Sequence, residues 1–229
     1  MNIVAVICWY DEMAEWLSAT CASLVQHAAV DHIIAVDGAY QAFPEGVARA
    51  RSGAEQYAAV TETCCAMGVG HTIYSPREAW QSEMTKRSYG FRLADQVAES
   101  SDDWVFVMDA DQIITSCADL RSELAMSRLD VGQVMFWERN GLQDPTWAPV
   151  RCLFRAHLGL EVRMNHYTYV THDGRRLWGD EPGLESPVLT SVEIEHRTWL
   201  RPQARRRRQE AYYERRNRLG LETATLEVK

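Results

Sequence analysis

Short, wholly apolar runs alternate along the first half of the chain with longer stretches whose apolar residues return every three to four positions. Ile3-Val4-Ala5-Val6-Ile7-Cys8 is the first such run, and an unbroken apolar stretch of this length fits a strand buried on both faces. From Glu12 to Gln26, Met13, Trp16, Leu17, Thr20 and Leu24 recur at helical spacing, and His32 to Val36 supplies a second strand. A glycine-punctuated loop runs to about Gly53. It is followed by a helix from Ala54 to Met67, a strand from His71 to Tyr74 and a helix from about Glu83 to Glu99. Trp104-Val105-Phe106-Val107-Met108 is the clearest strand, and it ends abruptly at Asp109.

Beyond a helix expected from about Cys117 to Ser127 the pattern turns to strands: Gln133 to Glu138, Val150 to Arg155, Val162 to Thr171 with a turn at Asp173-Gly174, and Ser191 to Glu195. A charged helix from Pro202 to about Leu219 closes the chain. Strand and helix in alternation predict an α/β fold with a mainly parallel twisted sheet, helices on both faces and a β-rich second half. No internal repeat or low-complexity linker divides it. The expected organisation is one domain over residues 1–200 with a basic helix and tail over 201–229.

Composition narrows the class. At 229 residues, 46% hydrophobic and 24% charged, the chain has enough apolar surface for a sizeable core, which excludes a disordered or fibrous protein. No stretch reaches the roughly 20 apolar residues of a membrane span, so none is expected. The six cysteines show neither CxxC pairs nor a secreted disulfide pattern, and are read as reduced thiols of a cytoplasmic protein. The net charge of −8 hides an asymmetry, because residues 201–219 carry eight arginines against Glu210 and Glu214. An acidic body with a basic end is no general nucleic-acid binder, though it can hold a polyanion locally.

The candidate chemistry starts at Asp109-Ala110-Asp111, just beyond the carboxyl end of a strand, where open α/β sheets bind ligands. Two carboxylates one residue apart hold a divalent cation and leave positions for diphosphate oxygens and water; Mg²⁺ and Mn²⁺ favour such ligands. A phosphatase of the phosphoaspartate type would carry its DxD after the first strand, which argues against that class. Tyr10, at the end of the first strand, is a candidate to stack on a nucleotide base.

In order and spacing, four segments resemble the GT-A glycosyltransferases, in particular family 2-like nucleotide-sugar transferases. Ile7-Cys8-Trp9-Tyr10-Asp11-Glu12 is similar to that family's first strand and Tyr-Asn-Glu-type turn, with Asp11 in place of the usual Asn. Ala35-Val36-Asp37-Gly38-Ala39-Tyr40 resembles its Val-Asp-Gly loop, Thr85-Lys86-Arg87-Ser88 its Arg-bearing helix start, and Val107-Met108-Asp109-Ala110-Asp111 its strand and DxD. The resemblance runs from Ile3 to about Asp111 and resumes weakly near His196. It implies a GT-A catalytic domain over 1–200, with Asp37 on the nucleoside, Arg87 near the nucleotide, and Mn²⁺ or Mg²⁺ held by Asp109, Asp111 and a late histidine. His196 is the expected histidine and His166 its rival.

The resulting expectation is a hexosyltransferase-type enzyme that moves a sugar from a nucleoside-diphosphate-sugar, a UDP-sugar in the first instance, to an acceptor hydroxyl. If the anomeric centre is inverted, a carboxylate must take the hydroxyl proton. Asp180 and Glu181, between the DxD and the late histidine, are the candidates, with Glu138 their rival. Arg201 and the arginines after it are candidates to grip the donor diphosphate. The acceptor is left open among protein, glycan, small molecule and modified DNA. Small phage-type transferases acting on hydroxymethylated bases resemble the chain in size and fold class. Two further classes compete with transfer of a sugar. One is a nucleotidyltransferase, which should show a glycine-rich Lys/Arg loop after the first strand, and the second is a non-catalytic carbohydrate-binding protein.

Overall fold

The computed structural model describes residues 1–43, 46, 48–138, 146–163, 168–177 and 187–218. The first half runs β1 (Ile3–Cys8), α1 (Ala14–Ala28), β2 (His32–Val36), α2 (Ala54–Ala66), β3 (Gly70–Tyr74), α3 (Glu83–Val97) and β4 (Trp104–Asp109). The second half continues with β5 (Gln112–Ser116), α4 (Leu120–Ala125), β6 (Val131–Glu138), β7 (Thr146–Arg155), β8 (Glu161–Val162), β9 (Tyr169–Val170), β10 (Val188–His196) and α5 (Gln203–Arg218).

Eight strands form one sheet in the order β3-β2-β1-β4-β7-β6-β10-β5, while β8 and β9 pair separately. β1, β2, β3 and β4 run parallel, β6 and β10 run parallel to each other, and β7 and β5 pair antiparallel with their neighbours. The fold is therefore α/β with a mainly parallel sheet and a strand-rich second half. Alternation along β1 divides the core. Ile3, Ala5 and Ile7 join Leu17, Cys21, Leu24, Val60 and Cys64 of α1 and α2 on one face. Val4 and Val6 join Phe91 and Ala94 of α3 on the other. α3 lies so close to β1 that a Cβ on Gly90 would come within 2.6 Å of Val6 Cγ1. That approach brings the start of α3, capped by Ser82 Oγ accepting from Thr85 N, to the carboxyl edge of the sheet.

Two expectations are corrected. The segment between the DxD and the predicted helix is strand β5, and the helix itself is only Leu120–Ala125. The predicted strand Val162 to Thr171 is instead the two short strands β8 and β9, with residues 164–167 outside the described residues. Among the described residues no helix is long and apolar enough to cross a membrane.

Candidate functional site

A cavity of about 420 Å³ opens at the carboxyl ends of β1 and β4 and is roofed by α5. Its floor includes Trp9, Tyr10 and Glu12 after β1, and Asp109, Ala110 and Asp111 after β4. Glu83 and Arg87 enter from the start of α3, Glu138 and His196 from the ends of β6 and β10, and Arg201, Arg205 and Arg208 from above.

The turn at Asp109-Ala110-Asp111 is fixed by its neighbours. Gln112 accepts from Asp109 N through Oε1 (3.0 Å) and donates to its Oδ2 (3.3 Å), while the buried Thr20 Oγ1 donates to the carbonyls of Ala110 and Gln112. β10 explains why His196 belongs here. It pairs Gln112 with His196 on one side and Glu138 with His196 on the other. His196 Nε2 consequently lies 3.2 Å from Asp111 Oδ2, and Nδ1 lies 3.2 Å from Glu138 Oε1.

Electrostatics sharpen this arrangement. Burial alone would push the Asp111 carboxyl up, but His196 and Arg201, whose Nη2 is 3.0 Å away, hold it down at about 2. Burial likewise disfavours a charged His196, yet the carboxylates of Asp111 and Glu138 outweigh it and raise the imidazole to about 10. The hydrogen bond from His196 keeps Glu138 below its ordinary value. Arg87 Nη2 donates to Asp109 Oδ1 at 2.6 Å and its Nε to Glu83 at 3.0 Å.

Among the described residues no three His, Cys, Asp or Glu side chains are assembled to hold a metal ion. What is assembled is a pair, Asp111 with His196, and Asp109 two residues before it with Oδ1 turned to Arg87. One or two carboxylates, with water and substrate phosphates completing the shell, is a common protein contribution to Mg²⁺ binding. The residues present therefore fit such an ion.

An aromatic wall faces the carboxylates. Phe43 stacks on Tyr212 with ring centroids 4.5 Å apart and on Tyr40 at 5.4 Å, and Tyr10 lies against Phe43 at 5.4 Å. Arg208 sits over Tyr10 and Phe43. Tyr10 is thus in the cavity, and its hydroxyl donates to Arg49 O.

Of the residues singled out from sequence, Tyr10, Arg87, Asp109, Asp111, Glu138, His196 and Arg201 share this one cavity. Asp37 does not line it. Its side chain is buried, Oδ1 and Oδ2 accept from Ser52 Oγ and N, and Tyr57 and Ser75 donate to it as well. Asp180, Glu181 and His166 lie outside the described residues.

Glu12, Glu83 and Lys86 were not singled out from sequence, whereas Arg205 and Arg208 belong to the run of arginines after Arg201 that was. Lys86 is fully buried, and its Nζ donates to the carbonyls of Trp9 and Gly38, tying the turns after β1 and β2 together. Burial lowers its pKa. Gly38 sits at φ 120°, with Trp80 and Pro76 where a Cβ would go, so no other residue fits this turn without strain.

No protein-family model matches the chain, and no curated protein matches it. Among solved structures it overlaps S. aureus TarS at 12% identity with a TM-score of 0.42, over 63% of this chain and only 22% of that one. It also overlaps a 4-diphosphocytidyl-2C-methyl-D-erythritol synthase at 14% identity and a TM-score of 0.43, over 93% of this chain and 97% of that one.

Proposed function

We propose that the chain is a metal-dependent glycosyltransferase that transfers a sugar from a nucleoside-diphosphate-sugar to an acceptor hydroxyl. The observation that carries this reading is the convergence of Asp109, Asp111 and His196 with arginines and an aromatic wall in one cleft at the carboxyl edge of the sheet. A diphosphate needs cations, a base needs a flat apolar surface, and a sugar needs room between them. Asp111 and His196, with Asp109 two residues before and water and phosphate oxygens completing the shell, would hold Mn²⁺ or Mg²⁺, which when bound neutralises charge on the departing diphosphate. Arg87 and Arg201 add fixed positive charge beside the same carboxylates. Glu138 is the one of the three proposed bases that lies in the described cavity wall, and in an inverting reaction it accepts the proton of the acceptor hydroxyl.

The turn after β1, Cys8-Trp9-Tyr10-Asp11, has no glycine and no lysine, which disfavours nucleotidyl transfer. The reading is tested by incubating the protein with UDP-, GDP-, CDP-, ADP- and dTDP-sugars, with Mn²⁺ or with chelator, and measuring the nucleoside diphosphate and free sugar released. Metal-dependent release from one donor class is expected. Release of pyrophosphate from nucleoside triphosphates instead would replace the proposal with nucleotidyl transfer.

A polyanionic acceptor, such as DNA carrying hydroxymethylated bases, is the second reading, and its motivation is two outward arginines. Arg206 and Arg207 are exposed on α5, while Arg201, Arg205 and Arg208 turn into the cavity. Binding to duplex DNA across a salt series, repeated with Arg206 and Arg207 changed to Gln, decides it. A steep salt slope that flattens in the variant supports DNA. No binding at low salt leaves a protein, glycan or small-molecule hydroxyl.

A further inference from the structure

Arg201, just before α5, and Arg205 and Arg208 on it meet the cavity through ion pairs, and the turn after β1 supplies two of the acidic partners, Asp11 and Glu12, beside Asp111, which lies 3.0 Å from Arg201 Nη2. Glu12, only 6% exposed, spreads its two oxygens over two arginines, Oε2 at 2.9 Å from Arg201 Nη2 and Oε1 at 3.3 Å from Arg205 Nη1. One residue earlier, Asp11 Oδ2 is 2.7 Å from Arg208 Nη1, and its Oδ1 is 3.4 Å from Arg49. Arg205, Arg208, Gln209 and Tyr212 follow one another at helical spacing, so they form a single face of α5 directed at the cavity, and Arg201 joins them from the turn just before the helix. A carboxylate bridging two guanidiniums resembles, in charge and oxygen spacing, the phosphates that arginines bind. Arg201 has unused capacity, because its buried Nε has no hydrogen-bond partner among the described residues.

We propose that this face of α5 is the donor's diphosphate-binding wall, and that Asp11 and Glu12 are built-in anions occupying it until the diphosphate displaces them. The inference rests on the donor reading given above and adds how the cleft stays charge-balanced when empty. It assigns the phosphates to Arg205 and Arg208 as well as Arg201. It also gives a role to Asp11, which stands where the family it resembles carries an uncharged Asn. Asp11 adopts φ 48°, a conformation that Asn also tolerates, so Asp11→Asn removes charge without imposing a new backbone shape.

The two carboxylates then oppose donor binding, and removing either tightens it. A purely structural role for Glu12 makes the reverse prediction, since loosening α5 would weaken every ligand in the cleft. The test is titration calorimetry of UDP, GDP, CDP and ADP, each with Mg²⁺ and with chelator, on the wild type, Asp11→Asn, Glu12→Gln and Arg205→Gln, with circular dichroism to confirm folding. For the diphosphate that binds the wild type, Glu12→Gln is expected to tighten binding about fivefold, because the buried carboxylate no longer competes for Arg201 and Arg205. Asp11→Asn is expected to tighten it in the same direction, and it serves alone if Glu12→Gln does not fold. Arg205→Gln is expected to weaken binding about tenfold, and in that background the gain from Glu12→Gln shrinks because the two act on one partner. Folded acid-to-amide variants that bind no tighter than wild type, or an Arg205→Gln protein that binds as wild type does, overturn the proposal while the donor reading stands. If no nucleoside diphosphate binds the wild type under either condition, the donor reading fails and this inference falls with it.

Discussion

Asp111 and His196 are 85 residues apart in sequence, yet Oδ2 of one lies 3.2 Å from Nε2 of the other because β5 and β10 pair antiparallel. Each holds the other in its charged form, and a metal bound here would take an oxygen of Asp111 and, in exchange for its proton, a ring nitrogen of His196. His196→Ala should therefore raise the Mn²⁺ concentration needed for half-maximal turnover by at least about tenfold, a loss that even supporting partners of a metal site produce. A metal titration checks this; an unchanged requirement in His196→Ala, with an increase in His166→Ala, would assign the role to the other histidine.

Asp109 and Asp111 should separate in stability although both are needed for turnover. Each change to Asn is expected to lower turnover on the order of a hundredfold or more, as loss of charge stabilisation at a reacting phosphate does. Asp109 has a side chain 26% exposed and one guanidinium partner, whereas Asp111 is 3% exposed between His196 and Arg201. Removing one member of a buried charged network costs about 3–5 kcal/mol. Asp111→Asn should thus melt well below the wild type and Asp109→Asn close to it, as thermal denaturation followed by circular dichroism would record.

Asp37→Ala should destabilise the fold more than it disturbs the cleft. The change leaves Ser52 N and the Ser52 and Tyr57 hydroxyls without their buried acceptor, at about 1–3 kcal/mol for each group not rescued by water. Ser52 Oγ also accepts from Asp11 N at 2.6 Å, so any effect on nucleotide binding is transmitted through that turn. A variant with unchanged melting temperature and abolished nucleoside diphosphate binding would place Asp37 on the ligand instead.

Much of this was legible in the sequence, and the reasons are physical. Parallel strands buried on both faces must be continuous apolar runs, so β1, β2 and β4 announced themselves and carried Asp109 to the sheet edge. β5 escaped notice because Gln112-Ile113-Ile114-Thr115-Ser116 is short and polar at both ends; with it went the pairing that makes His196 a neighbour of Asp111. The inward face of α5 was illegible for a different reason. Its contacts are arginines bonded to acids nearly 200 positions earlier, as in Arg205 with Glu12, and hydrophobic periodicity cannot register a face that is buried by ion pairing. For Asp37 the motif match says which residue stands at the position, whereas its partners, Ser52, Tyr57 and Ser75, are set by the fold.

Acid sensitivity should trace in part to Asp103. Burial pushes its carboxyl up, but the backbone N–H groups of Asn2, Glu99 and Ser100 donate to it and hold it below its ordinary value of 3.8. A depressed carboxylate contributes stability that is complete above the unfolded-state value and fades as pH falls through the folded one. The melting temperature of the wild type should consequently drop as pH falls below about 4, and Asp103→Asn should start lower at neutral pH and lose less over the same interval. Parallel acid limbs for the two proteins would refute the assignment.

The most direct test of the central claim is a crystal structure with Mn²⁺ and the nucleoside diphosphate that binds best, with diffraction recorded where Mn²⁺ scatters anomalously. The expected result is an anomalous peak beside Asp111 and His196, with the diphosphate lying between the Asp109-Ala110-Asp111 turn and the arginines of α5. Nucleotide bound elsewhere, or no manganese at these side chains when the ion is saturating, would contradict it.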